Sequence, residues 1–127
     1  MASILAVDDS ISMRQMMKIT FQVSGHDVIT AEDGLSALGI ARTTVFDLVI
    51  TDLRMPKMDG ITLIGELRKL PGMRHRPMFM LTTESADDRK QAAREAGASG
   101  WIIKPVSAQQ LRHLVERVLA DDAGSGV

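Results

Sequence analysis

Asp8 and Asp9 directly follow one short apolar run, Asp52 follows another, Thr82 and Thr83 close a third, and Lys104 closes a fourth. Asp8, Asp9, Asp52, Thr82 and Lys104 supply three carboxylates, a hydroxyl and an ammonium, in a chain with no cysteine and no histidine beside them. Carboxylates held within a few ångströms repel one another, so without a partner at least one has a raised pKa. A divalent cation removes that cost. Carboxylate oxygens and water select Mg²⁺ over Zn²⁺, and Mg²⁺ is commonly held by one or two carboxylates, water and a phosphate. The hydroxyl and the ammonium are donors of the kind that phosphoryl oxygens need. The set predicts phosphoryl transfer onto Asp52, because a carboxylate can form an acyl phosphate when positioning and charge neutralisation are supplied.

Convergence of these residues depends on the elements that carry them. Apolar runs at 4–7, 26–30, 46–51, 78–82 and 99–103 alternate with segments of helical period at 10–24, 33–42, 58–70, 84–96 and 107–120. Most of the runs are too continuous to have one wet face, which suits strands covered by helices on both sides of a parallel sheet. Met13, Met17 and Phe21 form one helical stripe, and Leu111, Leu114, Val115 and Val118 form another. Ser107 with Gln110 reads as a capping box, and Gly25 and Gly97 stand where helices stop. Strict alternation predicts an α/β domain of (βα)5 type with right-handed crossovers. The acids, Thr82 and Lys104 then all lie at carboxyl ends of strands, on the rim where an open parallel sheet binds its ligands.

At 127 residues the chain suffices for one domain, expected at 1–120, with 121–127 as a flexible tail. A net charge of −1 argues against nucleic acid held by the overall field, and the first apolar run is too short for a signal peptide or a membrane span. Without cysteine there is no disulfide framework and no thiolate site, which fits a cytoplasmic protein, and a monomer is expected.

Singly, the same residues have plainer uses. Asp52 could end a strand in a turn, Asp8 and Asp9 with Ser10 could cap a helix, Lys104 could be solvated, and Thr82 is ordinary in a strand. Their meeting on one rim favours the site. The nine methionines fall at core spacing and read as packing. His26, His75 and His113 are scattered, and the Arg74, His75, Arg76 run reads as a solvated turn. Trp101 suits either the core or a switch.

The stretches AVDDS, ITDLRMPKMDG, LTTE and GWIIKP, in this order over nearly the whole chain, resemble the receiver domains of two-component response regulators. The likeness is strongest to single-domain chemotaxis regulators of the CheY type. The resemblance implies a flavodoxin-like, doubly wound five-stranded parallel sheet of strand order 2-1-3-4-5. It implies Asp52 as phosphoacceptor, Mg²⁺ on Asp8, Asp9, Asp52 and the Arg54 backbone carbonyl, and Lys104 on the phosphoryl group. Thr82 is then the switching hydroxyl, Trp101 the switch aromatic, and Lys104–Pro105 a cis bond. Arg54, Thr83 and Glu84 are expected to control access to the site.

The implied partners are a chemotaxis-type histidine kinase or histidine phosphotransfer domain, a flagellar motor switch protein and a phosphatase. The output face is expected on the fourth helix, last strand and last helix. The fourth helix is expected to turn mainly Ala92, Ala93 and Ala96 inward and so to be held by small contacts. With no recognisable output domain after residue 120, the protein is expected to act by binding, not as an enzyme. A phosphate sink or shuttle would use the same chemistry. A phosphohydrolase of the haloacid dehalogenase type needs a second aspartate two residues after the first, where this chain has Arg54. An unphosphorylated scaffold is expected to lack an acid or the lysine, and both are present.

Overall fold

The computed structural model describes residues 1–125. Along the chain the elements are β1 (Ser3–Val7), α1 (Ile11–Val23), β2 (Asp27–Ala31), α2 (Gly34–Ala41), β3 (Leu48–Thr51), α3 (Gly60–Leu67), β4 (Met78–Thr82), α4 (Asp87–Ala96), β5 (Gly100–Ile103) and α5 (Ala108–Ser125). The strands form one sheet in the order β2-β1-β3-β4-β5, and every neighbouring pair is parallel. This is the flavodoxin-like α/β architecture that the alternation and the resemblance imply.

Successive side chains of a strand point to opposite faces, and here the two faces feed two cores. Leu5, Val7, Val49, Met78 and Met80 join Leu38, Leu63, Ile64 and Leu67 beneath α2, α3 and α4. Ile4, Ala6, Leu48, Ile50 and Leu81 join Met17, Phe21, Leu111 and Val115 beneath α1 and α5. Burying each such side chain is worth about 1.5–3 kcal/mol. Met17, Met73, Met78 and Met80 are fully buried, so these methionines are packing as expected. β2, at the sheet edge, departs from the continuous pattern: Asp27 and Ile29 are exposed and Ala31 is buried.

The helix starts are local. Ser10 accepts the Met13 N–H, Asp33 the Ser36 N–H, and Asp59 the Thr62 N–H. Each cap satisfies an orphan amide at the helix entrance. α3 accordingly begins at Gly60, not 58, and α2 at Gly34, not 33. In α5, Ser107 N–H donates to Gln110 Oε1 at 2.8 Å, and Gln110 N–H donates to Ser107 Oγ at 3.1 Å. Gly97 ends α4 at φ 114°, a left-handed conformation that only glycine adopts without cost. α5 runs to Ser125, so part of the tail expected at 121–127 lies within the helix, and 126 and 127 lie outside the described residues.

Candidate functional site

Three strand ends converge because the sheet ladder continues one residue past each. Asp8 N–H donates to Ala31 O at 3.1 Å, Asp52 N–H to Val7 O at 2.9 Å, and Lys104 N–H to Thr82 O at 2.9 Å. This fixes both acids and the lysine relative to the sheet before any side-chain contact is made. Close packing of α3 adds a second restraint. A Cβ on Gly60 would meet the Asp52 carbonyl at 2.2 Å, so only glycine lets the helix start this near the strand end.

Lys104 Nζ lies 2.7 Å from Asp8 Oδ2 and 3.2 Å from Asp52 Oδ2. Asp8 is almost wholly buried, and its Oδ1 accepts the Ser10 N–H at 2.9 Å. Asp52 Oδ1 accepts the Leu53 N–H at 2.7 Å. Burial pushes the Asp8 pKa above its ordinary value, with the Asp52 charge adding to the rise, although Lys104 and the Ser10 amide pull it back. Burial also works against the Lys104 charge, but Asp8 and Asp52 outweigh it and raise its pKa. Both pKa values rise, but with opposite meaning: burial disfavours the charged form of Asp8, whereas the two carboxylates favour the charged form of Lys104.

Oxygens of Asp8, Asp9 and Asp52 lie within 4.8 Å of one another. Two of these acids are buried and one ammonium serves both, so the set retains unneutralised negative charge that an oxygen-loving divalent cation would relieve. The Arg54 carbonyl lies just beyond Asp52 and accepts no hydrogen bond among the described residues, whereas the Leu53 carbonyl takes the Gly60 N–H at 2.8 Å. These donors fit Mg²⁺.

Thr82 is buried, and its Oγ1 accepts the Glu84 N–H at 3.4 Å. Trp101 is half-buried, packs against the core beneath α3 and α4, and donates its indole N–H to the Glu84 carbonyl at 2.9 Å. Glu84 completes the group with its carboxylate, which takes both Nε and Nη2 of Arg54 at 2.7 and 2.9 Å. That hydrogen bonding raises the Arg54 pKa further. The structure therefore brings together the expected residues Asp8, Asp9, Asp52, Lys104 and Arg54, and joins Thr82, Glu84 and Trp101 beside them. Thr83 is exposed, and its side chain makes no hydrogen bond among the described residues; the Lys104–Pro105 bond is cis.

Two features escape sequence reasoning. Arg14 donates from Nη1 to the Asp8 carbonyl at 2.7 Å. Lys57 takes a left-handed φ of 71° in the loop after Asp52, with its Nζ 4.0 Å from the Asp33 carboxylate. Asp33 is held below the usual carboxylate range, first by the Ser36 amide it caps. The proline and glycine around Lys57 signalled a turn, but not which residue would be left-handed.

The response regulator receiver domain family matches residues 4–116, and the chain belongs to it. Within it, the chain is 35% identical over 116 residues to the chemotaxis protein CheY of Pseudomonas aeruginosa, covering 91% of this chain and 94% of that protein. It is 35% identical over 125 residues to a chemotaxis protein CheY homolog of Campylobacter jejuni, covering 97% and 96%. Among solved structures, the chemotaxis response regulator CheY4 of Vibrio cholerae superposes with a TM-score of 0.88 at 42% identity, over 93% of this chain and 98% of that one. A CheY-like receiver domain protein from Methanospirillum hungatei, TM-score 0.91 at 24% identity, shares the fold.

Proposed function

We propose that Asp52 accepts a phosphoryl group from a phosphohistidine of a chemotaxis-type histidine kinase or histidine phosphotransfer domain. The observation that carries this reading is the pair of contacts from Lys104 to Asp8 and Asp52, on a rim that also holds Asp9 and Thr82. Asp8, Asp9, Asp52 and the Arg54 carbonyl would hold Mg²⁺, which would supply charge neutralisation for the carboxylates and the incoming phosphoryl oxygens. An Asp52 carboxylate oxygen attacks phosphorus, the P–N bond to the donor imidazole breaks, and an O–P bond forms in its place. Lys104 then meets phosphoryl oxygens as well as Asp8. Transfer of this kind rests on positioning and charge, which the ladder bonds and the Lys104 contacts supply.

The new oxygens draw the Thr82 hydroxyl, which now accepts the Glu84 amide. Glu84 carries both Trp101 and Arg54, so a shift at Thr82 reaches the face of α4, β5 and α5. α4 is suited to respond: Ala86 at its start makes no side-chain cap, and Ala93 is its buried residue. Beside it lies a cleft of about 210 Å³ lined by Lys90, Ala93, Arg94 and Trp101. The target is the flagellar motor switch, and a phosphatase or water ends the signal. The protein promotes only its own phosphorylation and dephosphorylation and acts in the cytoplasm. No helix among the described residues is long and apolar enough to cross a membrane.

Borohydride reduction of the phosphorylated protein, followed by peptide mapping, tests the acceptor: homoserine at position 52 is expected, and homoserine elsewhere contradicts it. Binding to the motor switch protein with and without phosphorylation tests the output. Tighter binding by the phosphorylated form is expected. Unchanged binding, with phosphoryl groups drained from the kinase, would favour a phosphate sink.

A further inference from the structure

We propose that Arg14 is a positioning residue for the cation site, setting the direction of Asp9 by clamping the peptide between Asp8 and Asp9. This rests on the Mg²⁺ reading above and deepens it. Asp9 is exposed, and no hydrogen bond or ion pair among the described residues holds its carboxylate. An oxygen of that carboxylate nevertheless lies within 4.8 Å of oxygens of Asp8 and Asp52. Backbone geometry must therefore aim it.

Asp8 is tied at each of its polar groups. Its N–H donates to Ala31 O at 3.1 Å, Oδ1 accepts Ser10 N–H at 2.9 Å, and Oδ2 meets Lys104 at 2.7 Å. The remaining group, the carbonyl, accepts Arg14 Nη1 at 2.7 Å. That carbonyl and the Asp9 amide share one planar unit, because the peptide bond resists rotation. Holding the oxygen thus holds the plane from which the Asp9 side chain departs. Arg14 is itself fixed, half-buried in the first turn of α1, where its N–H donates to Ser10 O at 3.0 Å. The tie makes the start of α1 a brace for the turn that carries both acids.

The sign of the effect separates positioning from charge. A guanidinium acting only through its charge opposes a dication, so its removal would tighten cation binding. A guanidinium acting as a brace aids the cation, so its removal weakens binding. The test titrates Mn²⁺ by the loss of its free electron paramagnetic resonance signal, with Mg²⁺ as competitor, for the wild type, Arg14→Met, Arg14→Lys and Asp9→Ala.

The expected result is about tenfold weaker binding in Arg14→Met, in the range for groups that orient metal ligands, and recovery of most of it in Arg14→Lys, which keeps one donor. Melting in chelator should show both Arg14 variants folded. Should Arg14→Met not fold, Arg14→Gln, too short to reach the carbonyl, carries the same expectation. Equal or tighter binding without Arg14, while Asp9→Ala loses the cation, overturns the brace. Unchanged binding in Asp9→Ala as well would overturn the cation reading itself.

Discussion

The Lys104 ammonium lies 2.7 Å from the Asp8 carboxylate although 96 positions separate them in the chain. It is the charge that makes a buried pair of acids tolerable without metal. Removing one member of a buried pair leaves the other uncompensated, at a typical cost of about 3–5 kcal/mol. Lys104→Met is expected to lose stability of that order in chelator, read from urea unfolding. Mg²⁺ should return more stability to the variant than to the wild type, because it supplies the missing positive charge. Equal Mg²⁺ stabilisation in both would contradict this role.

Access to Asp52 is the second expectation. Arg54 and Glu84 form a two-bond pair, with the Arg54 side chain largely exposed. Such a pair adds little stability, and its expected role is to shield Asp52 from water. Arg54→Ala should shorten the lifetime of the phosphorylated state several-fold while leaving the melting temperature nearly unchanged. An unaltered decay of the phosphorylated protein would remove the pair from control of hydrolysis.

Two glycines should respond oppositely to alanine. At Gly60 a Cβ would meet Asp52 O at 2.2 Å, whereas at Gly39 it would meet nothing within 4 Å. Gly60→Ala should destabilise by about 1–3 kcal/mol or more and slow phosphorylation by displacing the acceptor's backbone. Gly39→Ala, in exposed helix, should stabilise by about 0.5–1 kcal/mol. Thermal melts of both, with phosphorylation rates for Gly60→Ala, check the pair.

The sequence shows the site more fully than its supports. Asp8, Asp52, Thr82 and Lys104 were legible because each ends an apolar run, and a parallel sheet brings such ends together. The cap of α5 was legible because Ser107 and Gln110 are neighbours in sequence. The start of α4 was not: residues 84–86 read as helix, but Glu84 gives its amide to Thr82 and its carbonyl to Trp101, so α4 begins at Asp87. Arg14 was hidden for a similar reason. Its bond to Asp8 O depends on the angle at which α1 leaves the strand, which no local pattern encodes.

A pH dependence follows from His26, whose Nδ1 accepts the Ala2 N–H at 3.1 Å. Burial, then the N-terminal ammonium, lower its pKa from the usual 6.5, with Glu116 pulling the other way. The unfolded chain therefore takes a proton more readily than the folded one. This group contributes no proton-linked penalty while the imidazole is neutral in both states, above 6.5, and stability is lost as pH falls below 6.5 and through the lower folded value. Between about pH 7.5 and about pH 5.5 the melting temperature of the wild type should fall more than that of His26→Gln, whose amide oxygen does not titrate in this range. Parallel falls would show that His26 plays no part.

The most direct test of Asp52 as a Mg²⁺-dependent phosphoacceptor is intact mass after incubation with acetyl phosphate, with Mg²⁺ or with chelator, for the wild type and Asp52→Asn. One added phosphoryl group is expected in the wild type with Mg²⁺, and none with chelator or in the variant. Equal phosphorylation of Asp52→Asn, or of the wild type in chelator, would contradict the account.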